Sequence, residues 1–186
     1  MKLAYTTEKL ENSCPMDIFI KKYVDVPRFL ECCKMCPNYN KKWSCPNFTF
    51  DQISYWEQFK EIHLLGTKMI LDESMRGSEY ANPEINNFIT VMIASEKGRL
   101  MQIIWDMEKK MSGSRGLFAG DCKLCRSCAK MEGKPCRNPD LMRYSVESIG
   151  GNVQAVTEEL LGTQIRWTDG GIIPPYFTLV CGLLLR

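Results

Sequence analysis

The chain has 186 residues, of which 45% are hydrophobic and 25% are charged, and this composition suits one globular domain with a sizeable core. Its 24 basic and 22 acidic residues leave a formal charge of +2, so no strong electrostatic field indicates nucleic acid or an anionic membrane as a partner. We expect a single domain over residues 1–186.

The hydropathy of the chain gives no sign of a targeting or membrane segment. Residues 1–10 lack the apolar core of a signal peptide, and the longest apolar run, residues 177–185, is too short to span a bilayer. We therefore expect a cytoplasmic protein with no membrane partner. In that reducing compartment the ten cysteines would remain thiols, so a metal site explains them better than a disulfide framework.

The first cysteine segment, residues 32–46, reads CCKMCPNYNKKWSCP and carries a candidate ligand set. Cys33, Cys36 and Cys45 have the spacing C-x2-C-x8-C, which is one thiolate short of the four that close an iron–sulfur cubane. Binding of one metal by both Cys32 and Cys33 would strain the backbone, and we prefer Cys33 because its spacing to Cys36 is the usual one. The alternatives for the fourth ligand are Cys32, Cys14, Cys136, a water or a bound substrate.

The cysteine-free stretch that follows predicts a strand and a long helix. Residues 61–71 (EIHLLGTKMIL) are a short apolar run before a charged turn, which is typical of a buried strand. Asn82-Pro83 begins a helix whose apolar residues keep three-and-four spacing as far as Met111. Gly98 is a point at which this helix could bend or divide. A short strand at residues 117–119 then leads into a second group of cysteines.

The second cysteine segment, residues 121–139, reads DCKLCRSCAKMEGKPCRNP. Its spacing, C-x2-C-x2-C-x7-C, lets a tight turn present three thiolates to three corners of a 4Fe-4S cubane while a more distant cysteine takes the fourth. These ligands are Cys122, Cys125, Cys128 and Cys136. In the bacterial ferredoxin run the fourth cysteine ligates the other cluster, so which cluster Cys136 serves is open. Zinc is the weaker alternative, because structural zinc sites usually take two ligands from each of two separated knuckles.

The end of the chain predicts one more helix and one more strand. Residues 152–161 suit a helix that ends at Gly162, and residues 176–185 suit a central or closing strand. Together the elements predict an α+β (mixed α/β) fold in which a central sheet with packed helices supports two cysteine-rich cluster-binding loops, at 32–46 and 121–139.

Several other residues have two interpretations each. Trp43 and Tyr39 either shield a cluster at the first segment or belong to the core. His63, the only histidine, is more typical of a core or surface residue than of a ligand, and Cys181 is most simply a small core residue. Four polar residues near the end of the second segment and after it either bind an anion or make structural hydrogen bonds around the cysteine loop: Arg137, Arg143, Ser145 and Glu147.

Three groups of residues also carry a family resemblance. They are Cys33–Pro37 with Trp43–Pro46, Cys122–Cys128 with Pro135–Pro139, and Arg143–Gly150. With these stretches the chain resembles a cysteine-rich family of bacteria and archaea known only as predicted metal-binding proteins, a domain of unknown function. The resemblance covers nearly the whole chain and implies metal binding without implying a reaction.

Three functions are consistent with the sequence. The first is electron transfer through two 4Fe-4S clusters to a redox partner protein. The second is a redox or Lewis-acid enzyme in which a cluster held by Cys33, Cys36 and Cys45 keeps one iron open for a small-molecule substrate, which predicts a pocket beside the first segment. The third is a zinc-stabilised interaction module, in which metal supplies folding energy.

Overall fold

The computed structural model describes residues 2–186, which form a four-stranded antiparallel sheet and five α-helices. The strands are β1 (Tyr5–Pro15), β2 (Glu61–Leu71), β3 (Arg115–Leu117) and β4 (Tyr176–Leu185). The helices are α1 (Met16–Tyr23), α2 (Val26–Lys34), α3 (Gln52–Trp56), α4 (Pro83–Lys110) and α5 (Val153–Glu159). The fold class is α+β, as the sequence predicts.

The sheet has the strand order β1-β2-β4-β3, so β2 and β4 are its central strands. Both positions were predicted as strands with the bounds that the structure gives them, because their apolar runs suit a sheet covered on both faces. The short strand expected at residues 117–119 lies two residues earlier, at β3. Phe118 instead forms a parallel bridge with Ser145.

Strand β1 has no counterpart among the predicted elements. Its eleven residues are mostly polar and exposed, and only Leu10 and Cys14 are buried. The strand exists because its backbone pairs with β2 along its full length, from Tyr5 opposite Leu71 to Pro15 opposite Glu61. An edge strand of this kind leaves no apolar alternation in the sequence.

Helix α4 runs unbroken from Pro83 to Lys110, so Gly98 does not divide it. The side chain of Asn82 caps the helix by accepting hydrogen bonds from the backbone N–H groups of Glu84 and Ile85, at 3.0 and 3.4 Å. The buried face of α4 repeats at helical spacing. It comprises Ile85, Ile89, Met92, Glu96, Leu100 and Ile104.

The two faces of the sheet are covered by different helices. Alternate residues of the central strands point to opposite faces. Ile62, Leu64, Val180 and Leu184 pack with residues of α1, α3 and α5, whereas Leu65, Met69, Cys181 and Leu183 pack on the side of α4. No helix among residues 2–186 is both long and apolar enough to cross a membrane.

The cysteine segments lie at the ends of these elements. Cys32 and Cys33 belong to the last turn of α2, which corrects the prediction that residues 32–46 form a loop throughout. At the start of that helix, Asp25 accepts a hydrogen bond from the backbone N–H of Arg28. The second cysteine segment follows β3 and holds only one 3-10 turn, Ala129–Glu132. Helix α5 is shorter than predicted and ends at Glu159.

Candidate metal centre

The four cysteines of the second segment surround one cavity of about 40 Å³. That is more than the roughly 10–15 Å³ that one water molecule occupies by the same measure. Trp43, Leu124 and Met142 supply apolar parts of its wall, and three basic side chains also line it. We call Cys122, Cys125, Cys128 and Cys136 the second site. The basic side chains are Lys42, Arg126 and Arg137.

Hydrogen bonds hold the loop of the second site and reach one of its sulfurs. The side-chain amide of Asn138 donates to Cys125 Sγ at 3.2 Å. Arg137 donates to the carbonyl of Ser127 at 2.7 Å and pairs with Glu132 at 3.0 Å. Arg137 therefore makes structural hydrogen bonds around the cysteine loop, which is the second of the two roles that the sequence suggests for it. An amide donor aimed at sulfur and nearby cations suit thiolate ligands.

The cysteines of the first segment lie in the last turn of α2 and in the segment that follows it. Cys33 and Cys45 are partly buried, whereas Cys32 and Cys36 are exposed. Burial raises the pKa of the Cys33 thiol to about 11, with further contributions from Glu147 and from Cys45, Cys36 and Cys32. These thiols thus lie close enough to influence one another. We call Cys33, Cys36 and Cys45 the first site.

Ser44 connects the two sites. Its side chain is buried, and its Oγ accepts a hydrogen bond of 3.0 Å from the backbone N–H of Cys122, a residue 78 positions away in the chain. The same oxygen lies 3.8 Å from Cys45 Sγ. Given standard bond lengths, the sulfurs of Cys45 and Cys122 lie within about 11 Å of each other. The two cysteine segments therefore form one region of the molecule.

Further contacts fix this connection. Lys42 forms an ion pair with Asp121 and donates to the carbonyl of Cys122 at 3.2 Å. Lys130 donates to the carbonyl of Cys45 at 3.3 Å and lies 5.3 Å from the centre of the Trp43 ring. Trp43 lines the cavity of the second site, and a role in shielding a cluster stays a prediction.

The remaining cysteines and the histidine lie in other surroundings. Cys181 is 1% exposed in the core beneath α4, which confirms its prediction as a small core residue. Cys14 is 4% exposed and packs in the core on the opposite face of the sheet. His63 pairs across strands, with Nε2 at 2.9 Å from Glu11 Oε1 and Nδ1 at 3.0 Å from Ser13 Oγ. Its contacts are those of a surface strand residue.

The four polar residues after the second segment do not assemble an anion site. The guanidinium of Arg143 forms a forked pair with Glu108 of α4 and also donates to the carbonyl of Asp140 at 2.7 Å. Ser145 exchanges hydrogen bonds with Ser148. Glu147 instead lies in a 3-10 turn that packs against α2, close to Cys33.

Sequence reasoning missed three residues of this region. Ser44, Asn138 and Asp121 each neighbour a cysteine in the sequence or lie two positions from one, and Ser44 and Asn138 also fall within the stretches that carry the family resemblance. Their roles come from contacts with distant segments. Within residues 2–186, no three His, Cys, Asp or Glu side chains converge closely enough to hold one metal ion. The cysteines of the two segments are the candidate donors.

One of three comparisons with known proteins identifies a family. Comparison with curated proteins and with solved structures gave no match. A family model described as predicted metal-binding protein (DUF2284) matches residues 17–185, a range that includes both cysteine segments. The chain therefore belongs to the DUF2284 family of predicted metal-binding proteins.

Proposed function

We propose that this metal-binding protein holds two 4Fe-4S clusters and serves electron transfer. The second site would supply four thiolates to one cluster, and the first site three thiolates to the other. Cys136 lines the same cavity as Cys122, Cys125 and Cys128, which supports its assignment to the second site. When bound, such clusters accept and release single electrons at potentials that the surrounding charges and hydrogen bonds adjust.

The observation that carries this proposal is the junction at Ser44. Two cysteine sites joined through one buried hydroxyl suit passage of an electron from one to the other, whereas independent structural metal sites need no such closeness. The basic side chains around the second site, together with Lys130 near Cys45, would offset the negative charge of thiolate-bound clusters. The amide of Asn138 would favour the more reduced, more negative state of the second cluster.

A second candidate function follows from the surroundings of Cys33. The first site supplies three cysteines, Cys14 lies in the core and Cys136 lies with the second site, so we propose that the fourth iron of the first cluster is bound by something other than a local cysteine. A cavity of about 400 Å³ has Glu147 in its wall, and Glu147 belongs to the turn that packs on α2. An enzyme with an open iron beside a substrate pocket is favoured by this arrangement.

Metal analysis tests the proposal directly. Protein purified without oxygen should be brown and should contain about eight iron and about eight acid-labile sulfide per chain, as two cubanes require. One or two zinc per chain without labile sulfide would instead assign the protein to the zinc-stabilised class and overturn the proposal.

A further inference from the structure

The cavity beside the first site has the composition of a small-molecule binding site. Its volume of about 400 Å³ falls in the range of about 300–1,000 Å³ that is usual for ligand pockets. It lies between α4, α5, β4 and the segment that connects α5 to β4. Its apolar walls include Ile89, Ile93, Val153, Phe177 and Val180.

Two cations and one carboxyl group are the charged side chains that line it. Lys97 extends from α4 and Arg166 from the connecting segment, and both line the cavity with Glu147. A Cβ built on Gly120 would lie 3.1 Å from Lys97 Nζ and 3.9 Å from Glu147 Oε1, so both side chains converge where residue 120 carries no side chain. Among residues 2–186, neither Lys97 nor Glu147 forms an ion pair.

An indole ring lies at the rim of the cavity. Trp167 lines it and yet is 73% exposed, which is unusual for so large an apolar side chain. Tyr80 and Phe177 add two more aromatic rings to the lining. Flat aromatic surfaces favour a ligand with a flat apolar body, because stacking adds to the burial of apolar area.

A smaller cavity continues from this one towards the second site. It has a volume of about 230 Å³ and shares Lys97 and Ala119 with the larger cavity. Asp121, the partner of Lys42, lies in its wall. Lys97 thus lies at the boundary of two cavities, one of which reaches Glu147 near the first site and the other Asp121 near the second.

We propose that the larger cavity binds a small organic acid with a flat apolar body, whose acid group is held by Lys97, while Arg166 adds positive charge to the wall. Two cations outnumber the single carboxyl group of Glu147, which gives the preference for an anion. The binding itself is independent of which metal the protein holds. A role for the bound acid at the first cluster rests on the proposed function.

Calorimetric titration of the anaerobically purified protein with 2-naphthoate tests the proposal, with the uncharged 2-naphthamide as its matched ligand. We expect one naphthoate per chain, bound about tenfold more tightly than the amide. Lys97→Gln should remove that preference while leaving amide binding unchanged, and Ile93→Phe, which narrows the cavity, should weaken both ligands. Lys110→Gln, an exposed lysine of the same helix that lines neither cavity, is the control.

Three results would overturn the proposal. They are the absence of naphthoate binding, equal affinity for naphthoate and naphthamide, and equal naphthoate affinity of the Lys97→Gln and Lys110→Gln variants. Iron and zinc are measured on every sample, so the two proposals fail separately. Eight iron without naphthoate binding would reject the ligand site alone, whereas zinc with Lys97-dependent binding would reject the clusters alone.

Discussion

At the scale of single residues, the question is which thiols can act as ligands. The adjacent residues Cys32 and Cys33 differ in their surroundings, because Cys32 is exposed on the last turn of α2 and Cys33 is partly buried beside Glu147. Cys14 and Cys181 are 4% and 1% exposed and pack among apolar core side chains, apart from both sites. Thiols buried in apolar surroundings react slowly with reagents in solution.

Alkylation of the native, metal-loaded protein with iodoacetamide at pH 7.5 should therefore label Cys32 alone. Cys36 is equally exposed, but as a ligand it should be protected until the metal is removed with a chelator. Cys14 and Cys181 should stay unlabelled in both states because they are buried. Peptide mass spectrometry measures the labels. Rapid labelling of Cys33 or Cys36 in the loaded protein would contradict their assignment to the first site.

Loss of one thiolate from the second site should remove one cluster. Cys125→Ser or Cys128→Ser should each lower the iron content by about half, because the compact triplet leaves no nearby thiol to replace the missing one. Cys32→Ser, which changes an exposed cysteine outside both sites, should keep about eight iron. Unchanged iron in both second-site variants would mean that residues 121–139 are not a ligand loop.

At the scale of elements, helix α4 anchors the long segment that carries the second site. Arg143 and Glu108 are 6% and 11% exposed, and their forked pair connects the end of that segment to the last turns of the helix. The indole N–H of Trp105 also donates to the carbonyl of Leu141 at 3.2 Å. A segment with so little regular structure depends on such contacts for its position.

Replacing Arg143 should destabilise the protein strongly. Arg143→Met leaves the carboxylate of Glu108 buried without its cation, and breaking a buried pair in this way costs about 3–5 kcal/mol. Lys109→Met is the control, because Lys109 is 74% exposed and its pair with Asp106 should contribute less than about 1 kcal/mol. Urea unfolding midpoints of samples with equal metal content measure the difference.

The double variant Glu108→Gln, Arg143→Met separates the charge effect from lost packing. Removing the carboxylate of Glu108, which has lost its cation, should restore part of the lost stability, because Glu108 and Arg143 interact directly. An unfolding midpoint for Arg143→Met equal to that of Lys109→Met would show that the pair does not anchor the segment.

At the scale of the whole molecule, the sheet determines how the two sites meet. Strand β3 pairs with β4 at the sheet edge, and the chain leaves it through Phe118, whose N–H donates to the carbonyl of Tyr144 at 2.8 Å. The second segment is thereby directed towards the residues that follow α2. There the backbone N–H of Cys122 reaches Ser44 Oγ, which joins the two sites.

Two reduced clusters at this separation should interact magnetically. The electron paramagnetic resonance spectrum of the fully reduced protein should contain broadened or split signals, because the sulfurs of Cys45 and Cys122 lie within about 11 Å. Cys45→Ser, which removes a ligand of the first site only, should leave the simple signal of one isolated cluster. Two superimposed, unperturbed signals in the unmodified protein would contradict the closeness of the sites.

Local patterns determined the elements that the sequence predicted correctly. The apolar runs of β2 and β4 and the spacing and cap of α4 are properties of neighbouring residues, so they are readable without the fold. Strand β1 was missed because its hydrogen bonds to β2, and not its side chains, define it. The end of α2 was assigned to a loop because its cysteines lie in sequence rich in lysine and proline.

The sequence by itself determined the seven candidate ligands and, through them, the membership in a metal-binding family, because ligand spacing within one turn or loop is a local property. Only the tertiary structure decided that Ser44 joins the two sites, that Arg143 pairs with Glu108, and that Lys97 and Glu147 line one cavity. Those contacts join residues 35 to 78 positions apart in the chain. Sheet pairing and core packing bring such residues together, and neither leaves a local pattern in the sequence.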